Sequence, residues 1–178
     1  MQTNAKVDRL LTLIQQGDRA SFHELYLLLK DPLYLYIFSI LRHKESAEDV
    51  LQDTFLQIAT RATLYRPGRT ACAWVYRIAR NLAYNAVRKT KQTVSVEDQP
   101  EPFQFDSDLQ AIDDSSAAAQ YLSCLTETER EIVAMHVYDG LKFREIALIL
   151  DQPISPVRAH YSYAIKKLRK FLNKERWT

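Results

Sequence analysis

The sequence predicts an all-α protein of two small helical domains joined by a flexible acidic linker, the C-terminal domain being a helix-turn-helix. The chain of 178 residues contains only three glycines, and its hydrophobic content of 47% is sufficient for a folded core. Apolar residues recur at intervals of three and four, whereas no alternating pattern typical of strands is sustained. Together with the distribution of charge, these features indicate the fold class.

The charges fall into four blocks along the chain. Residues 1–53 carry eight acids and six bases, and residues 54–96 carry eight bases and no acid. Residues 97–129 carry nine acids and no base, and residues 130–178 carry ten bases and five acids. Two basic modules therefore flank an acidic connector. A stretch of 43 residues without a carboxylate favours a nucleic-acid partner over a merely solvated surface.

The same composition places the domain boundaries. We predict an N-terminal domain at 1–91, an acidic linker at 92–114 and a C-terminal domain at 115–178. The linker region contains Pro100, Pro102 and five acids within residues 92–112, with little periodicity. Such a composition is typical of a connection rather than of a folded element.

The first three helices follow from apolar stripes and punctuation. Residues 4–16 form one amphipathic stripe, and a long apolar segment spans residues 18–41. Because proline lacks a backbone N–H, we expect this second helix to be bent or broken at Pro32. A third helix is predicted for 46–62, with Ser46 as its N-cap.

One face of the third helix is unusual. Leu56 lies there among Asp49, Gln52 and Asp53, opposite the apolar stripe. An isolated exposed leucine is common in soluble proteins and needs no explanation. The alternative is a protein-docking face with an apolar centre and an acidic surround.

The fourth helix, predicted at 74–91, is aromatic, basic and apolar at once. One arc of the helix is apolar and suited to burial. The opposite arc is either an ordinary solvated face or a platform for nucleic acid, since guanidinium groups attract phosphate and aromatic and amide groups contact unpaired bases. The candidate contacts are Trp74, Arg77, Arg80, Asn81, Tyr84 and Arg88.

The C-terminal domain has clear helix boundaries. Thr126 and Glu129 form a capping-box pair before a first helix, and a short helix follows at 142–150. Ser155 is then a natural N-cap and Pro156 a natural first residue for a longer basic helix. A short helix, a tight turn and a longer helix make a helix-turn-helix, although other packed helix pairs share this pattern.

The last helix presents an outward polar face. Its N-terminal part is suited to the base edges of a major groove, and its later lysines are suited to phosphates. The candidate contacts with duplex DNA are Ser155, Arg158, Ala159, His160, Ser162, Tyr163, Lys166 and Lys167.

Several classes of function lack support in the sequence. Cys72 and Cys124 are far apart and the four histidines are scattered, so we expect buried thiols and neither a disulfide nor a metal site. There is no phosphate loop, dinucleotide turn or nucleophile motif, so we expect no catalytic residue and no cofactor. The apolar window 25–41 is interrupted by charge and proline, and the N-terminus does not resemble a signal peptide. We therefore expect a cytoplasmic protein without membrane insertion.

Three segments resemble bacterial sigma factors of the extracytoplasmic-function group. They are AEDVLQDTFLQIA, WVYRIARNLAYNAVRK and LTETEREIVAMHVYDGLKFREIALILDQPISPVRAHYSYAIKKLRK. The resemblance implies that the first segment docks on the clamp helices of core RNA polymerase. It implies that the second captures unpaired bases of promoter DNA, with Asn81 facing a base, and that the last helix reads duplex DNA. It also implies that the linker runs through the polymerase channel, that the regulon is of a stress or envelope type, and that an anti-sigma protein is a partner.

The sequence departs from this family's pattern at a few positions. Asn85 stands where an aspartate is common, Asp151 replaces a turn glycine, and Pro156 replaces a small polar residue. His160 and Tyr163 stand where basic residues are often found. These differences bear on the preferred promoter sequence. A free-standing helix-turn-helix repressor or activator is the rival interpretation, and it explains only the C-terminal half.

Overall fold

The computed structural model describes residues 2–68, 70–93 and 124–175, and every regular element in these ranges is helical. This confirms the all-α prediction. None of the described helices is long and apolar enough to cross a membrane. The N-terminal elements are α1 (Gln2–Gln15), α2 (Arg19–Leu41), α3 (Lys44–Arg61), a 3-10 turn (Ala62–Leu64) and α4 (Ala71–Thr93). The C-terminal elements are α5 (Glu127–Val133), a π-helical turn (Ala134–Tyr138), α6 (Phe143–Leu150) and α7 (Ile154–Glu175).

Helix α1 fixes the connection that leads into α4. Its Gln15 side chain donates to the backbone carbonyls of Ala62 (2.7 Å) and Tyr65 (2.6 Å). Asn4 Oδ1 accepts a hydrogen bond from the Cys72 backbone N–H (3.0 Å), which supplies a partner for one of the unpaired donors in the first turn of α4. The start of α4 is therefore held by side chains distant in sequence.

Two predicted helix starts were wrong, and one predicted break is absent. Helix α2, expected to be bent or broken at Pro32, runs through it without a break, because buried apolar residues on both sides, such as Leu29 and Leu33, keep the helix packed in the core. Helix α3 is capped by His43, whose Nδ1 accepts from the Ser46 backbone N–H (3.3 Å), so Ser46 lies inside the first turn. Helix α7 begins at Ile154, which packs against the core, so Ser155 is not its N-cap.

Other local predictions were confirmed. Thr126 and Glu129 form a full capping box at the start of α5. Asp151 adopts a left-handed conformation (φ 54°) where α6 ends, as expected for a residue that replaces a turn glycine. Gln92 and Thr93, predicted to begin the linker, are the last residues of α4. The rest of the predicted linker, and residues 115–123 of the predicted C-terminal domain, lie outside the described residues.

A large apolar core joins the N-terminal and C-terminal helices. Ile132 and Met135 belong to the same buried cluster as Tyr36 on α2 and Ile78 on α4. A smaller cluster of Leu125, Val133 and Ala164 packs α5 against α7. The C-terminal helices thus pack directly against α2 and α4, on the side that carries the outer face of α4.

Candidate nucleic-acid interface

The six candidate side chains of α4 differ in their exposure. Arg77, Asn81 and Arg88 are exposed, as expected for an outer face. The other three, Trp74, Arg80 and Tyr84, are half-buried. The structure therefore brings all six onto one helix but leaves only part of their surface open to solvent.

Asn81 lies on the wall of a pocket of about 430 Å³. Within it the Arg80 guanidinium lies 4.6 Å from the centroid of the Tyr84 ring, in cation–π geometry. Arg88 Nη2 donates to Asn85 Oδ1 (2.8 Å) at the next turn. The pocket thus combines an amide, an aromatic ring, two cations and one carboxylate. Its lining residues are Arg80, Asn81, Tyr84, Val87, Arg88 and Glu127.

The connection before α4 is positioned by aromatic packing that the sequence analysis did not identify. The rings of Tyr65 and Trp74 pack with centroids 5.4 Å apart. The Tyr65 hydroxyl donates to Asp8 on α1. Burial, followed by this hydrogen bond, raises the pKa of Tyr65 above its usual range. Tyr65 therefore remains a protonated donor that joins α1 to the start of α4.

The C-terminal helices cover part of the outer face of α4. Glu131 on α5 accepts hydrogen bonds from Arg80 Nε (3.1 Å) and from the Tyr84 hydroxyl (2.6 Å). Arg77 donates from Nε to the Leu148 carbonyl on α6 (2.8 Å). These contacts contradict the expectation that Arg80 and Tyr84 face solvent, because the apolar core packs α5 and α6 against α4. Arg77 remains exposed despite its hydrogen bond.

The pKa values of these groups reflect the contact. Burial lowers the pKa of the Arg80 guanidinium, but the Glu131 carboxylate, together with Tyr36 and Tyr84, raises it, so the pKa lies above its usual value. Burial and the hydrogen bond to Glu131 raise the pKa of Tyr84 well above its usual range. Both groups therefore act as donors at neutral pH.

The predicted docking residues of α3 share one exposed face. Asp49, Gln52, Asp53 and Leu56 are all exposed, and the Leu56 side chain is 62% exposed. Residues at these spacings lie on adjacent turns of one helical face. The structure therefore brings together an apolar centre and its acidic surround, as the sequence analysis expected.

The predicted DNA-contacting face of α7 is exposed except at His160. Ser155, Arg158, Ala159, Ser162, Tyr163 and Lys166 are exposed, whereas His160 is half-buried. Lys167 Nζ forms an ion pair with the buried Glu129 carboxylate on α5 (2.7 Å). Lys167 was predicted as a phosphate contact, but its charge is already engaged, since Glu129 would otherwise be a buried carboxylate with no cation beside it.

The two cysteines differ in burial, because Cys124 is half-buried, contrary to the expectation of two buried thiols. Cys72 is buried, and this burial raises the pKa of its thiol to about 12. Within residues 2–68, 70–93 and 124–175, no group of histidine, cysteine and carboxylate side chains could hold a metal ion.

Comparison with known proteins finds similarity along most of the chain. The family model for sigma-70 region 2 matches residues 25–93, and that for sigma-70 region 4 matches residues 121–170. The chain is 27% identical over 176 residues to the sigma factor SigK of Mycolicibacterium vanbaalenii, covering 94% of this chain and 90% of SigK. It is 24% identical over 173 residues to SigW of Bacillus subtilis, covering 89% and 92% of the two chains.

Solved structures show the same fold. The sigma factor RpoE from Bartonella quintana, in complex with the anti-sigma factor NepR, matches with a TM-score of 0.67 and 25% identity over 85% of this chain and 96% of that one. CnrH, in complex with the cytosolic domain of CnrY, matches with a TM-score of 0.74 and 21% identity over 95% and 98% of the two chains. With both sigma-70 regions in order and extracytoplasmic-function relatives aligned over nearly its full length, the chain belongs to the extracytoplasmic-function sigma factors.

Proposed function

We propose that this sigma factor docks on core RNA polymerase through α3, reads duplex promoter DNA through α7, and captures unpaired promoter bases on the outer face of α4. The observation that carries this proposal is the position of Asn81. Its exposed amide lies beside an aromatic ring and two arginines, on a helix within a stretch of 43 residues without an acid. Such a surface suits single-stranded DNA, because bases stack on or hydrogen-bond to it while phosphates meet the cations.

Docking through α3 rests on the composition of its exposed face. Leu56 provides an apolar centre, and Asp49 and Asp53 provide charge around it. Interfaces of this kind bury the apolar centre, while the charged rim selects a basic partner surface. The clamp helices of core polymerase, implied by the family resemblance, are the proposed partner.

Duplex recognition rests on the exposed N-terminal half of α7. Ser155, Arg158 and Ala159 lie in its first turns and are exposed. In a helix-turn-helix these turns enter the major groove and contact base edges. Lys166 follows on the same helix and is placed for a phosphate contact. Lys167 does not contribute to this contact, because it forms an ion pair with Glu129.

Strand opening is nearly balanced in free energy. Extruding one base costs a few kcal/mol of pairing and stacking. A stacking or hydrogen-bonding pocket returns about 1 to 3 kcal/mol per base. Phosphate contacts from cations such as Arg88, together with polymerase docking, then favour the open state. The polymerase supplies the chemistry, so the chain acts as a non-enzymatic, cytoplasmic initiation factor without a cofactor of its own.

An anti-sigma protein is a further proposed partner. The two solved structures described above are both complexes. RpoE is bound to an anti-sigma factor, and CnrH is bound to the cytosolic domain of CnrY. The regulon is proposed to be of the stress or envelope type implied by the family resemblance.

Alanine substitution of Asn81 tests the capture of unpaired bases. We expect Asn81→Ala to reduce transcription from a duplex promoter by about tenfold, because the variant loses one well-placed hydrogen-bonding group. We expect it to have little effect on a pre-opened template. The readout is transcript yield from reconstituted holoenzyme on both templates. Asn173→Ala, an exposed asparagine near the end of α7, is the matched control. Wild-type activity of Asn81→Ala on duplex DNA would argue against the role.

A further inference from the structure

One carboxylate oxygen on α1 joins the two ends of the turn that leads into α4. Asp8 Oδ1 accepts hydrogen bonds from the Tyr65 hydroxyl and from the Gly68 backbone N–H (3.2 Å). These two donors lie 57 and 60 positions away from Asp8 in the sequence. The Asp8 side chain therefore spans residues 65–68, which we name the α4 entry turn.

The backbone of the α4 entry turn has little cover of its own. Pro67 is followed by Gly68 with φ 82°, the pair expected at the centre of a type II turn. Arg66, Pro67 and Gly68 are exposed, whereas Tyr65 is buried. An exposed loop loses conformational entropy when it becomes ordered, so hydrogen bonds at both of its ends favour one conformation.

Helix α1 supports the turn from a well-packed position. Its Gln15 side chain donates to the carbonyls of Ala62 and Tyr65, at the start of the turn and just before it. Val7 and Leu11 are fully buried and anchor α1 in the core. Because the polar side chains that hold the turn are carried by this anchored helix, the position of the turn follows that of α1.

The α4 entry turn continues the outer face of α4, which is the surface proposed to capture unpaired bases. The Tyr65 ring packs against Trp74, one of the candidate contacts of that face, with centroids 5.4 Å apart. Arg66 is exposed in the turn and belongs to the stretch of 43 residues without an acid. Phosphate contacts fix the register of a nucleic acid on its protein. Arg66 is therefore placed to fix the register of an unpaired strand on α4.

We propose that Asp8 is a positioning residue for promoter selection, which holds the α4 entry turn in the conformation in which Arg66 and Trp74 meet the unpaired strand. This inference rests on the proposed function of α4. Without the Asp8 carboxylate the turn samples several conformations, and the apparent affinity falls with the fraction that is competent to bind. Bases are distinguished by differences in contact energy, so a turn without a fixed geometry also discriminates less between them.

The first measurement uses the full chain without DNA or polymerase. Asp8→Ala removes the acceptor that both ends of the turn share. Amide hydrogen exchange followed by NMR reports on the Gly68 N–H, which we expect to exchange at least about fivefold faster than in the wild type. Glu24→Ala is the matched control, because it also removes an acid that bonds to α1, through Lys6 (2.9 Å), but on α2. An unchanged Gly68 exchange rate in Asp8→Ala would show that Asp8 does not hold the turn, and would overturn the proposal.

The second measurement is base preference in the reconstituted holoenzyme. Transcript yields are compared on variants of one transcribed promoter that differ by single bases in the unpaired region. The readout is the ratio of yields between the preferred base and its competitors. We expect Asp8→Ala to lower this ratio by roughly fivefold at the most selective position, and Glu24→Ala to leave it unchanged. A merely structural role would lower all yields by one factor and preserve the ratio, and that result would also overturn the proposal.

Two conservative variants separate turn geometry from charge and from misfolding. Asp8→Asn keeps an acceptor oxygen in place without the charge, and we expect it to restore most of the wild-type ratio. Tyr65→Phe removes one donor and keeps the ring that packs on Trp74, and we expect a reduction of roughly twofold. Circular dichroism checks the helicity of each variant. If Asp8→Asn lowers the ratio as much as Asp8→Ala, the effect comes from charge and the proposal fails. If Asp8→Ala does not fold, a wild-type ratio in Tyr65→Phe overturns it.

The positioning role and the proposed function of α4 fail in different ways. A wild-type holoenzyme without any base preference in the unpaired region would remove the role of α4 itself. A wild-type preference that Asn81→Ala weakens and Asp8→Ala leaves intact would remove only the positioning role of Asp8.

Discussion

Asp139 is a carboxyl group whose surroundings favour its neutral form. Burial raises its pKa to about 7, and the Tyr76 hydroxyl on α4 offsets part of this rise. Among the described residues, neither carboxyl oxygen makes a hydrogen bond of ordinary geometry. A carboxyl with a raised pKa contributes stability below its unfolded pKa, and that contribution is lost as pH rises through the folded pKa. The relevant window is therefore about pH 4 to 7.

Substituting Asp139 by asparagine tests this assignment. At pH 8 the wild type must either bury a charged carboxylate or protonate it, so Asp139→Asn should be more stable by about 1 to 3 kcal/mol. At about pH 3, below the unfolded pKa, the carboxyl is neutral in both the folded and the unfolded state, and the two proteins should have similar stability. Urea denaturation at both pH values measures the difference. Asp53→Asn, at an exposed carboxylate, is the control, and a pH-independent difference for Asp139→Asn would contradict the assignment.

At the scale of the helix, the exposed face of α3 is expected to determine the affinity for core polymerase. Leu56→Arg places a cation at the apolar centre of the proposed interface and should weaken binding to core polymerase by at least about tenfold. Leu64→Arg is the matched control, since Leu64 is 71% exposed but lies on the 3-10 turn after α3. Equilibrium binding to immobilised core polymerase measures both. Equal affinities for the two variants would remove Leu56 from the interface.

The conformation of the turn between α6 and α7 predicts how substitutions of Asp151 change the free energy of unfolding. Asp151 has φ 54°, a conformation that glycine adopts without strain and that β-branched residues adopt at high cost. Asp151→Gly should stabilise the fold by about 0.5 to 1 kcal/mol, and Asp151→Val should destabilise it by more than that. Thermal unfolding of both variants provides the measurement. Unfolding temperatures in the opposite order would show that the turn relaxes in solution.

Local signals predicted the helices well and their boundaries unevenly. Thr126 with Glu129 and Asp151 were predictable because each acts through backbone groups within a few residues of itself. The cap of α3 was not, because His43 is a less common N-cap than the neighbouring Ser46. The unbroken course of α2 depends on the packing of Leu29 and Leu33 against distant helices, which outweighs the local preference of Pro32.

At the scale of the whole molecule, helical periodicity predicted which helix face carries each candidate site. It did not predict which other side chains of the protein pack against that face. Tyr36 and Glu131 are 95 positions apart, and nothing in either neighbourhood indicates that they meet. The engagement of Arg80 and Tyr84 by Glu131 likewise depends on how the C-terminal helices pack against α2 and α4. Charge blocks predicted where the cations lie, whereas three-dimensional packing decides which of them remain available.

Reconstitution with core RNA polymerase tests the central claim most directly. The full chain is combined with core polymerase and a library of genomic DNA fragments, and transcripts are mapped at their 5′ ends. We expect stoichiometric binding to core polymerase without DNA, and transcripts from discrete start sites that appear only when the chain is added. Failure to program transcription on any fragment, or tight binding to DNA sites without binding to polymerase, would contradict it.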